Sequence, residues 1–206
     1  MGGRVEIVVP VGVNARAVRE FVQRFTPWID RKVAAMQCFA QPAAAVPERI
    51  DFAYSGERFE VEWHKSLTRG ISLHGDRLLV RAQDSGNARE KLQEWLKQAA
   101  EGRLSPRLFQ LARDLGYPVK RVVIRCQRTR WGSCSTRGTV SLNCSLMFLE
   151  PNVVRYLFVH ELAHTQHMNH SPAFWRLVES LEPDYRRLDR ELLAGWRTVP
   201  LWVFGT

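Results

Sequence analysis

Positions 160 to 170 of the chain read His-Glu-Leu-Ala-His-Thr-Gln-His-Met-Asn-His. Histidines four apart lie on one face of a helix, so His160 and His164 can aim both imidazoles at a single ion. Glu161 sits one position along and can reach a water on that ion. A catalytic zinc keeps three protein ligands and leaves one position open for such a water. The ion lowers the water's pKa towards ~7, and a carboxylate then takes the proton. The expected roles are therefore metal ligand for His160 and His164 and general base for Glu161. His170, six residues after His164, is the expected third ligand. Glu179 and Glu182 on the following segment are its rivals. His167 is expected to line the cleft or lie at the surface.

These side chains need a helix, a turn and a second helix. The run Val153-Val154-Arg155-Tyr156-Leu157-Phe158-Val159 is almost wholly apolar and predicts a buried helix starting at Pro151. Buried histidines and a buried glutamate need partners, which an ion supplies. Asn169 tolerates the left-handed conformation common at helix ends. Ser171-Pro172 then reads as an N-cap followed by proline at the first helical position. Phe174, Trp175, Leu177, Val178 and Leu181 give that second helix an apolar face, and Pro183 stops it. Asp184 is expected to cap a last helix ending at Gly195. Leu201-Trp202-Val203-Phe204 forms an apolar tail able to dock on the body or on another subunit.

Upstream, Val122-Val123-Ile124 and Thr139 to Asn143 read as strands, with Arg130 to Ser135 as a strand end or turn between them. Gly132 to Ser135, or Thr139 to Asn143, is expected at a sheet edge above the metal helix, where an extended peptide can add by backbone hydrogen bonds. Arg130, Ser133 and Asn143 are the candidate substrate-binding residues. Arg130 can bind an anion, stabilise an oxyanion or form a structural ion pair. Trp131 reads as core. Ser105-Pro106 reads as a helix start, with Gly116 as its stop. Asn87 is the expected cap of a separate helix to about Ala100. Gly70 to Leu73 and Leu78 to Val80 flank His74-Gly75-Asp76 as a hairpin, and Phe59 to Trp63 alternates as a strand. Val5 to Val9 reads as a strand, and Asn14 to about Met36 as a helix interrupted at Pro27.

Arg130-Trp131-Gly132-Ser133-Cys134-Ser135, Gly138, Ser141-Leu142-Asn143, His160 to His164, Asn169-His170-Ser171-Pro172 and Phe174-Trp175 together resemble the YgjP-like family of metal-dependent hydrolases. That family is similar to the SprT and WLM zinc peptidases. The strong part of the match runs from about Ser105 to Asp184. The resemblance implies a zincin-like catalytic domain, a zinc site and Glu161 as general base. It leaves the substrate open, since a nucleoside triphosphate pyrophosphatase activity is associated with YgjP-like proteins.

The chain has 206 residues, 45% of them hydrophobic, enough for one compact domain with a small added lobe. Its 30 basic and 21 acidic residues leave a net charge of +9. Lys120, Arg121, Arg125, Arg128, Arg130 and Arg137 fall in a stretch with no acid between Asp114 and Glu150. Such a cluster attracts phosphate, nucleic acid or acidic peptide, or is simply a solvated face. None of Cys38, Cys126, Cys134 and Cys144 forms a C-x-x-C pair, and no apolar run approaches a membrane span of ~20 residues. A cytoplasmic setting without membrane contact is the expectation.

The expected fold is α+β. A β-rich part with two helices covers residues 1–104, and a zincin-like catalytic part carrying the metal helix covers 105–206. The expected function is zinc-dependent hydrolysis with one Zn2+ per chain, other divalent metals being possible. A metallopeptidase acting on peptides leads. A nucleoside triphosphate pyrophosphatase for a UTP-like nucleotide is the first alternative. A nucleic-acid-binding protein with a structural zinc is the second. The oligomeric state is open.

Overall fold

The computed structural model describes Asn14, Val18, Glu20, Val22, Thr26 and residues 45–204. The chain divides into two compact units, Met1–Ala44 and Ala45–Thr206. The expected strand at Val5 to Val9 lies outside the described residues. Of the expected first helix, Val18, Glu20, Val22 and Thr26 are helical, and the Val18 amide donates to the Asn14 carbonyl.

The second unit mixes two small sheets with four α-helices. Strands β1 (Arg49–Phe52), β2 (Glu57–Lys65), β3 (Gly70–His74) and β4 (Arg77–Ala82) form one sheet in the order β1-β2-β4-β3. The β3–β4 pair is the expected hairpin, and Gly75 at φ 63° supplies its turn. One face of this sheet buries Ile50, Phe52, Phe59, Val61, Leu78, Val80 and Ala82. Phe52 stacks on Trp95 and meets Phe148 edge-on, which ties the sheet to the rest of the core.

Helix α1 (Ser85–Leu115) is one continuous element of 31 residues, where two helices were expected. It crosses the expected 104/105 boundary. Its cap is Asp84, which accepts from the Asn87 amide at 2.8 Å; Asn87 is already inside the first turn. Ser105-Pro106 starts nothing. The buried stripe Ala88, Leu92, Leu96, Ala100, Leu104, Leu108 and Ala112 runs straight through, so packing holds the helix despite an interior proline that costs ~3 kcal/mol. Pro106 cannot donate to Gly102, but both residues are exposed on an open cavity of about 690 Å³, where water can reach that carbonyl. Gly116, at φ 73°, ends the helix as expected.

The second sheet holds β5 (Arg121–Arg125), β6 (Gly132–Cys134) and β7 (Thr139–Asn143) in the order β5-β7-β6. β5 and β7 run parallel, and β6 pairs antiparallel with β7. A short 3-10 turn, Cys144–Phe148, leads to α2 (Pro151–Ala163), followed by α3 (Pro172–Leu181) and α4 (Tyr185–Ala194). Of the two expected places for the tail, the body or another subunit, it takes the body: Trp202 and Val203 are buried, and Gln93 donates to the Trp202 carbonyl. Cys126 and Cys144 are joined as a disulfide. No helix among the described residues is long and apolar enough to cross a membrane.

Candidate metal centre

Helix α2 is buried along Val153, Val154, Tyr156, Leu157, Phe158 and Val159, so its last turn is held firmly where the chemistry sits. His160 lies in that turn and His164 is the C-cap. The chain leaves the helix through short turns, with Thr165 donating to Leu162 and Gln166 to Ala163. The left-handed residue expected at Asn169 is not used: among the described residues only glycines have positive φ. Ser171 caps α3 by accepting from the Phe174 amide. That tight junction carries His170 back over the helix.

Nitrogens of His160, His164 and His170 all lie within 4.8 Å of one another. The two Nε2 atoms of His160 and His170 are 3.1 Å apart. Nitrogens bound to one tetrahedral zinc at ~2.0–2.1 Å would be about 3.3 Å apart, so the spacing fits an ion between them. His164 Nδ1 lies 3.0 Å from the His167 carbonyl and donates to it, which leaves Nε2 free to face the ion. His167 thus acts through its backbone. Phe174, fully buried, is the floor: its ring stacks on His164 at 4.6 Å and meets His170 edge-on at 4.8 Å. Trp175 stacks on His170 from the side. Burial and the neighbouring imidazoles hold His160 down at about 3, and burial lowers His164 as well, so both are neutral at pH 7. The rival Glu182 is paired with Arg155, and neither it nor Glu179 joins the histidine group.

Glu161 is buried, 4% exposed, and among the described residues its Oε2 has no hydrogen-bond partner. Burial pushes its carboxyl up to about 8, with Arg130 pulling the other way. An orphaned carboxylate oxygen beside three converging imidazoles fits a metal site with a water to act on. Gly132 makes the seat for this side chain. A Cβ built on Gly132 would fall 2.5 Å from Oε1, so only glycine leaves room. Gly132 was expected in a strand end or turn, or at the sheet edge, and not as the seat of Glu161; a glycine next to a strand was the available sign of close approach.

The expected substrate residues separate. Arg130 is exposed, and its charge is felt at Glu161. On β6, Gly132 and Cys134 face Glu161; burial of the Cys134 thiol, with the Glu161 charge adding to it, pushes that thiol up to about 11. Ser133 alternates to the opposite face, paired with Ser141, so its side chain points away from the metal helix. Asn143, expected at the substrate, is instead completely buried. Its amide donates to the Gln127 and Arg130 carbonyls, and its oxygen accepts from Ser145. It pins the loop that carries Arg130. Trp131, core as expected, stacks on Trp196 at 3.8 Å.

The family profile described as YgjP-like, metallopeptidase domain, matches residues 1–194. The chain belongs to the YgjP-like family. This YgjP-like chain is accordingly a metal-dependent hydrolase. Among solved structures it is similar to the metallopeptidase zymogen abylysin of Pyrococcus abyssi, with 28% identity and a TM-score of 0.40. That match covers 44% of this chain and 92% of the other. No curated protein matches the YgjP-like chain.

Proposed function

We propose that the chain is a zinc metallopeptidase in which His160, His164 and His170 hold the ion and Glu161 is the general base. The observation that carries this reading is the geometry of β6. This strand is the outer member of its sheet, and its Gly132 lies against the Glu161 carboxylate. An extended peptide adding to that edge would run past the histidines with its carbonyls at the site. A nucleotide would gain nothing from a strand edge.

A bound divalent ion supplies Lewis acidity to an attacking water and to the substrate carbonyl. The protein does the rest. Glu161 takes the proton from the attacking water through its free Oε2. The same carboxyl passes that proton to the departing amine. Arg130 places a positive charge near the oxygen that becomes negative. Phe174 and the His167 carbonyl hold the imidazoles in position. The test is parallel assay of zinc-loaded protein on peptide and nucleoside triphosphate panels, with Glu161→Gln as control. Peptide cleavage lost in the variant supports the reading; turnover confined to triphosphates sinks it in favour of the pyrophosphatase.

A further inference from the structure

We propose that the outer side of β5, with the turns at its two ends, is a docking surface for nucleic acid held through its phosphates. This goes beyond the hydrolytic reading and does not depend on which bond is cut. Lys120, Arg121, Arg125, Arg130 and Arg137 are all exposed. Among the described residues, none of the five forms an ion pair with a carboxylate, whereas Arg49, Arg58, Arg103, Arg155 and Arg187 all do. The fold gathers the five into a band. The Lys120 and Arg121 amides both donate to the Gly138 carbonyl, which seats the Arg137–Gly138 turn against the start of β5. Arg121 and Arg125 share one face of the strand, four residues apart. That is ~13 Å at a strand's rise, close to the axial length of about four base steps. Beyond β5 the loop pinned by Asn143 carries Arg128 over Phe204 and then Arg130 to the edge of the catalytic site.

The chemistry favours phosphodiester. Four of the five cations are arginine, whose planar fork matches phosphate oxygens. Among the described residues, the ring seen against this loop, Phe204, lies beneath Arg128 and is not offered to a base, which favours recognition by backbone charge over base stacking. A membrane partner would need an apolar anchor beside the charge, and the band runs along a strand and two turns.

The experiment is fluorescence anisotropy of the 206-residue chain with a labelled DNA of ~30 nucleotides, single-stranded and duplex, across salt. With about four phosphates neutralised, affinity should fall roughly 10²-fold between ~50 and ~200 mM salt. The Lys120→Glu, Arg121→Glu, Arg125→Glu triple variant should bind more than ~10-fold more weakly and lose about three units of salt slope. Its metal content and melting temperature report whether it is folded. Should it fold poorly, the wild-type salt slope decides alone: a slope near zero overturns the proposal. So does wild-type affinity in a folded triple variant. Displacement of the DNA by polyglutamate at equal charge would make the partner an acidic protein instead.

Discussion

At the scale of single residues, Gly132 and Glu161 are one device. The carboxylate needs a seat beside the imidazoles, and the seat exists because residue 132 has no side chain. Gly132→Ala should drive the carboxylate from its position and lower turnover by ~10²-fold, the usual order for a displaced acid-base group. Metal content should be unchanged, because the three imidazoles stand on other elements. Atomic absorption and steady-state rates on one preparation check both halves, and full activity in the variant would show that the seat is not needed. A second expectation concerns the metal-free protein. Glu161 is raised to about 8 when folded, against an ordinary 4.5. Burying it therefore costs stability that sets in as pH rises through 4.5 and is complete above about 8. Without metal, Glu161→Gln should melt higher than wild type at pH 8 and equal to it near pH 4. A lower melting temperature at pH 8 would show that the carboxylate is stabilised by partners not seen here.

At the scale of elements, the metal helix was legible and the long helix was not. Pro151, the apolar run and Ser171-Pro172 set both ends of the histidine segment, because each signal is local and agrees with the packing. In α1 the local signal Ser105-Pro106 conflicts with the buried stripe, and the stripe wins. Asn143 misled for a related reason. A polar residue near a site reads as a ligand, while its real partners, Gln127 and Arg130, are set by a loop whose path the sequence does not state. Asn143→Ala should leave the partly exposed Gln127 and Arg130 carbonyls and the buried Ser145 amide without their partner, at about 1–3 kcal/mol for each group that water does not reach. Denaturation by urea measures the loss, and a cost below about 1 kcal/mol would mean that the loop re-forms its bonds. The pair Arg103–Glu57 clamps α1 to β2 at 2.5 and 2.6 Å. Arg103 holds the Glu57 carboxyl below its ordinary 4.5, so the clamp contributes fully above that pH and fades as pH falls through the lowered value. Arg103→Met should therefore destabilise at pH 7 and progressively less in acid. An equal deficit in urea midpoint at pH 7 and pH 3 would assign the effect to packing of the arginine stem instead.

At the scale of the whole molecule, the α+β class and the histidine triad followed from the sequence. The topology did not. The parallel β2–β4 and β5–β7 pairings are long-range choices with no local signature. The cysteines offer no C-x-x-C pair and so no local sign of a partner, yet parallel pairing of β5 with β7 brings Cys126 and Cys144 within 5.3 Å between Cα atoms. The assembled unit puts three things side by side: a strand edge, a buried carboxylate and three converging imidazoles. Remove one and the others lose their purpose, so His170→Ala should lower metal occupancy sharply, with Glu182 unable to substitute while Arg155 holds it. Unchanged occupancy would mean that the ion sits elsewhere.

The most direct measurement takes wild type and Glu161→Gln, loads both with zinc, and records metal per chain and peptide turnover on the same samples. Glutamine keeps the shape and the reach but cannot accept a proton. The account predicts one ion per chain in both and turnover at least ~10²-fold lower in the variant. Wild-type turnover from a metal-loaded Glu161→Gln protein would contradict it.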